Sequence, residues 1–384
     1  MPGFEIIGKD ELDEIKHLFE ESSILFRHGF EQIRNNIYKV RDFEESFAKK
    51  MKVSYALGVT SGTAALRVAL ASIDIKRGDE VITQSFTFVA TVEAIIESRA
   101  IPVITEIDET LNMDPLDLEK KITDKTRAII AVHMLGVPSQ LKEIKKIAEK
   151  YGIPLIEDTA WGCGGFYDGI PLGTYGDIGC YSFDFAKTMT TGEGGMLVFN
   201  SKKIYDKACA WHDHGHENNP NLPRWKDSRS SSGFNYRMNE VQGAIGLAQL
   251  RKLDYVVSEQ RKNAHIIDEV ISDFSIEMRK MPKNSIETSD ALVFFVDSNK
   301  IAIACRNSLL KVGIGTKILP EAITWHFAGT WDHIPELMLR NGSNLSMQFS
   351  KSADILSRSV SIPINVKMDK DFPELIRNSL KKVL

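Results

Sequence analysis

No stretch of the 384 residues carries the roughly 18 consecutive apolar side chains that a membrane-spanning helix needs. Cysteine is scarce. Cys163, Cys180, Cys209 and Cys305 lie far apart with no Cys-x-x-Cys spacing, which excludes a disulfide framework and a zinc ribbon and leaves reduced thiols as the expectation. Positive charge is not in excess either: the formal net charge of −4 removes the broad attraction that nucleic acid and anionic lipid surfaces rely on. Neither nucleic acid nor a membrane is an expected partner. The opening Met1-Pro2-Gly3-Phe4-Glu5 has neither the basic nor the apolar region of a secretory leader, so a cytoplasmic protein is expected. Repeats and low-complexity tracts are also lacking.

What the chain does have is apolar material for a large core, 43% of its residues, and a length that suits two domains. Over the first 260 or so residues, short runs rich in branched residues alternate with amphipathic helical runs, the signature of an α/β fold. The strand candidates are 55–59, 80–83, 101–106, 127–133, 153–157, 178–183 and 195–199, each bounded by a helical segment or by Gly and Pro. They predict a mostly parallel, seven-stranded sheet covered on both faces. The segment from His212 to Arg237 has Gly, Pro, Asn and Ser but no clear period, and loops of such length inside a compact domain are usually functional. A long helix from Asn239 to about Ser272 follows. The expected division is a large domain over 1–265 and a smaller α+β domain over 266–384. Ligands of open α/β sheets bind beyond the carboxyl ends of the strands, so those ends are where chemistry is sought.

Two such ends stand out. The strand ending in Glu157 runs into Asp158, a carboxylate at the end of a buried strand and costly there without a partner. Further along, Ser182-Phe183-Asp184-Phe185-Ala186-Lys187 places a lysine after another strand, ahead of the turn Gly192-Glu193-Gly194-Gly195. A lysine in that setting is placed to lose proton affinity and act as a nucleophile, although a surface lysine beside a turn has the same local pattern. Thr60-Ser61-Gly62-Thr63, between a strand and the helix-like 64–73, forms either a plain helix cap or a phosphate site.

These blocks, with Gly78-Asp79-Glu80-Val81-Ile82, Thr87-Phe88-Val89-Ala90-Thr91, His133-Met134-Leu135-Gly136 and Gly233-Phe234-Asn235-Tyr236-Arg237-Met238, occur in consistent order from about residue 40 to 260. In that order the chain resembles the DegT/DnrJ/EryC1/StrS family of pyridoxal 5′-phosphate (PLP) dependent sugar aminotransferases, which have the fold type I architecture. The resemblance implies PLP as cofactor, an amino-acid donor such as glutamate and a keto or aldehyde sugar as acceptor. It makes Lys187 the Schiff-base lysine and proton shuttle, and Asp158 the partner of the pyridine nitrogen. Gly62, Thr63 and Ser182 would hold the phosphate, and Phe88 would stack on the ring. Asn235 would reach the phosphate in the neighbouring subunit, which implies a homodimer with shared active sites. The Lys187 position argues against the related sugar dehydratases, in which a histidine replaces it. A PLP-binding regulator is the reading from another class, but such proteins usually carry a DNA-binding domain in front.

One departure from the family pattern is Trp161, three residues after the aspartate, where many members have Gln or His near the cofactor's O3′. Trp161, His214, His216, His326 and Arg358 are candidate substrate residues. The basic run Arg27-His28, Arg34, Lys39 and Arg41 is either a site for an acidic sugar or a solvated helix face. His212, His214 and His216 alternate, but no further ligand follows at zinc spacing, so no metal is expected. Within the family, the opening residues, the Asp213-His214-Gly215-His216 loop, the run 246–254 and Trp325-His326 are similar to the branch that makes 8-amino-3,8-dideoxy-manno-octulosonate for lipopolysaccharide. A nucleotide-linked 3- or 4-ketosugar is the alternative acceptor.

Overall fold

The computed structural model of the protein describes residues 2–219 and 221–384. Two short N-terminal helices, α1 (Pro2–Glu5) and α2 (Lys9–Glu21), precede α3 (Lys39–Met51), whose Val40, Phe43, Phe47 and Met51 recur at helical spacing and are all buried. The sheet then begins. Its strands are β1 (Tyr55–Val59), β2 (Glu80–Gln84), β3 (Ile101–Thr105), β4 (Thr126–Val132), β5 (Leu155–Asp158), β6 (Ile178–Ser182) and β7 (Gly195–Phe199). Each falls within a residue or two of a strand expected from the sequence.

In space the order is β1-β7-β6-β5-β4-β2-β3, and every neighbouring pair is parallel except the two that β7 makes with β1 and β6. Helices cover both faces, among them α4 (Gly62–Ser72) and α5 (Val89–Glu97), so the strands are apolar on both sides rather than alternating. Asp158 at the end of β5 and Ser182 at the end of β6 lie at one rim of this sheet, where α4 and α5 also begin.

An unbroken helix, α6 (Glu240–Ile271), leads out of the sheet region. Its start is fixed by a reciprocal cap: the Asn239 side chain accepts from the Gln242 N–H at 3.0 Å and the Gln242 side chain accepts from the Asn239 N–H at 3.1 Å. The expected division at 265/266 lies inside this helix. Its Leu253 and Val257 pack with Phe43, Phe47 and Tyr181, while Ile267 and Ile271 pack with Phe294, Leu309 and Ile362. The C-terminal part adds an antiparallel sheet of β8 (Glu277–Met278), β9 (Ala291–Phe295) and β10 (Ser359–Pro363), with helices α7 (Asn299–Leu310) and α8 (Phe372–Leu380) against it. A continuous apolar cluster joins Phe86, Ile104 and Val132 of the large sheet region to Phe295, Phe327, Trp331 and Phe349, so the two parts share a core. Among the described residues no helix is long and apolar enough to cross a membrane.

Candidate active site

At the carboxyl rim of the sheet a cavity of about 310 Å³ is lined by residues from both parts of the chain, including Gly62, Thr63, Phe88, Thr91, Asp158, Trp161, Ser182, Lys187 and His326. Sequence reasoning named eight of these nine; Thr91 it quoted in a motif without a role. The Thr91 hydroxyl, in the first turn of α5, donates to Asp158 Oδ2 at 2.8 Å, and the Ala160 N–H donates to Oδ1 at 3.2 Å. Thr87 and Thr91 are themselves hydroxyl partners at 2.8 Å. Thr87 lies just ahead of α5 and Thr91 in its first turn, so the contact is made where the chain enters the helix.

Asp158 is buried, and burial raises its carboxyl's proton affinity, only partly offset by Thr91 and Ala160. No cationic side chain pairs with it among the hydrogen bonds and ion pairs of the described residues. Such a carboxylate is stable as an anion only if a positively charged group comes to it. The adjacent Glu157 plays a different part: it accepts from the N–H groups of Gly173, Tyr175 and Gly176 at 2.7–2.9 Å and from His133 Nε2 at 2.9 Å. Because the Ser139 N–H donates to His133 Nδ1, the imidazole proton sits on Nε2. This network ties down the strand end that presents Asp158.

Lys187 extends into the cavity with its amine 3.6 Å from the centroid of the Trp161 ring. Burial drives its proton affinity down to about 8, with neighbouring Asp184 and Asp290 opposing the fall. At that value a substantial share of the amine is neutral near physiological pH and can act as a nucleophile. Gly62 opens α4 where a Cβ would come within 2.7 Å of the Ser182 Cβ, so the close approach of helix start and strand end requires glycine there. Ser61 caps the helix, accepting from the Ala64 N–H at 3.0 Å. A helix start held open in this way favours an anion. The Phe88 ring stands partly exposed at the cavity and 5.5 Å from that of His326, whose imidazole burial pushes down to about 4, a neutral ring at physiological pH.

PLP fits these residues. Its phosphate suits the start of α4 with Ser182, its pyridine nitrogen supplies the cation that Asp158 lacks, and its aldehyde suits the Lys187 amine.

Other candidates lie elsewhere. Arg358 ends a helix in the C-terminal part, pairs with Asp354 at 3.2 Å and lines a different groove, so it is not at this cavity. The N-terminal cations are held in structural contacts: Arg27 with Glu44, the fully buried Arg34 with Glu240, Lys39 with Glu14, and Arg41 over the Tyr38 ring. They do not form an open site for an acidic sugar. Within one chain His214 is exposed and His216 is bonded to Asp227 at 3.2 Å; neither lines the cavity. Asn235 is exposed and does not line the cavity; beside it the Tyr236 carbonyl accepts from the Thr60 N–H at 3.0 Å. The loop that carries these residues, apart from Pro220, which lies outside the described residues, is pinned by Asp213. That carboxylate, completely buried, receives Arg224 at 2.5 and 2.8 Å and Arg237 at 2.5 Å. Among the described residues no group of His, Cys, Asp and Glu side chains has the arrangement of a metal centre.

A lysine amine and a buried, cation-seeking carboxylate at the carboxyl rim of a seven-stranded, mostly parallel sheet define a fold type I PLP-dependent aminotransferase. The chain belongs to the DegT/DnrJ/EryC1/StrS aminotransferase family, whose model matches residues 30–381. It is similar to the GDP-perosamine synthase of Escherichia coli O157:H7, 40% identical over 250 residues that make up 65% of this chain and 67% of that protein. The GDP-perosamine synthase of Vibrio cholerae is 37% identical over 239 residues, 62% of this chain and 64% of that protein. The matched stretch thus spans about two thirds of the length of these two synthases. Among solved structures, the aminotransferase from Psychrobacter cryohalolentis superposes with a TM-score of 0.83 at 25% identity, covering 98% of this chain and 97% of that one.

Proposed function

We propose that the protein moves an amino group from an amino acid, glutamate being the expected donor, to the ketone of a nucleotide-linked 3- or 4-ketosugar destined for a cell-surface polysaccharide. The observation that carries the reaction class is that the Lys187 amine and the unpaired Asp158 carboxylate line one cavity. When bound, PLP supplies an aldehyde that takes the amino group and a ring that takes up electron density. Asp158 keeps the ring nitrogen protonated, and Thr91 orients Asp158. Lys187 would hold the cofactor through its amine, and when free that amine would carry the proton to and from the reacting carbon. Gly62, Thr63 and Ser182 bind the phosphate, and Phe88 covers the ring. Asn235 completes the phosphate site of a partner copy in a homodimer, which accounts for its exposure within a single chain.

The likeness to the two GDP-perosamine synthases supports a nucleotide-linked acceptor over the free octulosonate. Charge at the cavity does not separate the two acceptors, because a carboxylate and a nucleotide diphosphate both call for cations and Lys187 is the only lysine or arginine lining the cavity among the described residues. The test is purified enzyme with PLP and glutamate, offered a panel of nucleotide-linked 3- and 4-ketosugars, GDP-linked ones among them, and the oxidised octulosonate. Amination of a nucleotide-linked ketosugar is expected; efficient amination of the octulosonate alone overturns the acceptor assignment and leaves the PLP chemistry standing.

A further inference from the structure

Trp161 is the residue at which this chain departs from its family's pattern, and two ammonium groups converge on its ring. The Lys187 amine lies 3.6 Å from the ring centroid and the Lys317 amine 5.0 Å. Lys317 belongs to the segment after α7 and is held by Asp290 at 3.1 Å; both side chains are almost wholly buried. Trp161 is 9% exposed. Three segments distant in sequence thus meet at one aromatic face: the loop after β5, the Lys187 loop, and the C-terminal part.

An indole face attracts a nearby ammonium, more strongly where water is excluded. A space-filling tryptophan needs no ammonium over its ring, and two buried ones repel each other unless something holds them. Here the ring and Asp290 provide that hold. We propose that Trp161 is a positioning residue for Lys187: its indole face keeps the lysine side chain at the cavity whenever its amine is free, and Lys317, fixed by Asp290, presents a second positive charge to the same ring. The proposal rests on Lys187 being the reactive lysine. During amino transfer that amine is released, has to remain within reach of the reacting carbon, and has to take up and return a proton; a flexible four-carbon stem without a resting place does this poorly.

The groups facing the Lys187 amine are Asp184 on its own loop, Asp158 at the end of β5, Asp290 and Lys317 from the C-terminal part, and His326 across the cavity. Lys317 disfavours the protonated amine, whereas the three carboxylates favour it. Removing Lys317 therefore makes Lys187 easier to protonate, and removing the charge of Asp290 makes it harder.

The experiment follows indole emission of the full-length protein freed of cofactor between pH 6 and 10. A step with a midpoint near 8 is expected, absent in Lys187→Met and in Trp161→Phe. In Lys317→Met the midpoint rises by about half a pH unit or more, and in Asp290→Asn it falls by a similar amount. Circular dichroism on each variant establishes that it is folded, and Lys317→Met, which keeps the stem, stands alone if Asp290→Asn fails to fold. On the cofactor-loaded enzyme Trp161→Leu is expected to lose about tenfold in kcat with little change in KM, and Trp161→Phe, which restores a ring face, to regain much of it. A step that persists in Lys187→Met, or a midpoint that Lys317→Met leaves in place, overturns the proposal. Because the titration uses no substrate, it can fail while transamination stands, or succeed if the acceptor assignment fails.

Discussion

The backbone N–H of Gly3 donates to the carbonyl oxygen of Lys187 at 2.9 Å, so this N-terminal segment is fastened to the lysine proposed to be reactive. A second fastening lies beside it. The Thr190 N–H donates to Gln249 Oε1 at 3.2 Å, the Gln249 amide donates to Glu11 at 2.9 Å, and Lys252 donates to Glu11 at 2.8–2.9 Å and to the Ile6 carbonyl at 3.1 Å. Helices α1 and α2 therefore clamp the Lys187 loop against α6, with Glu11 buried at the junction.

That clamp has no room at Gly3. A Cβ there would lie 2.7 Å from the Lys187 carbonyl oxygen and 3.1 Å from backbone atoms of Met189 and Thr190, so Gly3→Ala has to move the loop. A loss of roughly tenfold in kcat is expected, since small displacements of a reacting group are costly. Gly8→Ala is the control, because nothing lies within 4 Å of a Cβ at Gly8 and its N–H bond to Glu11 survives the change. Equal activity of the two variants refutes the clamp.

Lys187→Ala is expected to abolish turnover and the visible absorption band of lysine-bound cofactor while the melting temperature changes little, because the side chain projects into a cavity. Retention of more than about 5% of wild-type transamination would contradict the role of an amine worth at least two orders of magnitude. Asp158→Ala removes the carboxylate proposed to pair with the ring nitrogen and should be similarly severe, with near-normal turnover as the contradicting result.

Asn235 is exposed within a single chain, and a homodimer gives it a task. Asn235→Ala should weaken PLP retention, read by dialysis against cofactor-free buffer. Mixed with Lys187→Ala, it should regain part of the lost activity through hybrid dimers carrying one intact site. A fully active monomer at assay concentration, by sedimentation, is the opposing outcome.

Asp213 provides a stability test. Burial pulls its carboxyl up, but the guanidiniums of Arg224 and Arg237 outweigh burial and hold it well below the usual carboxylate range. A carboxyl depressed on folding contributes stability that is complete above about pH 4 and is lost as the pH falls towards its folded value. Asp213→Ala strips two guanidiniums of their buried partner and should cost about 3 kcal/mol in denaturant unfolding at pH 7. The difference from wild type should shrink below pH 3; a difference independent of pH would mean that the charge is not what stabilises the loop.

Local pattern determined a good deal. Branched apolar runs read as seven strands, and Asp158 and Lys187 stood out as candidates because residues just beyond strand ends at one rim of an α/β sheet are free of backbone pairing, although for Lys187 the family resemblance rather than the local pattern pointed to its role. The Asn239 cap with Gln242 is local as well, and so was the start of α6. What tertiary structure alone decided are the relations between residues far apart in sequence. That β7 inserts antiparallel between β1 and β6 depends on pairing across the sheet, which alternation within a strand does not encode. Arg34 looks like an available cation in one dimension, yet Glu240 is 206 residues away, and only the fold brings that carboxylate to it. The contacts of Gly3 and Lys317 carried no local signal, since each arises only where a distant backbone carbonyl or aromatic ring comes within a few ångströms.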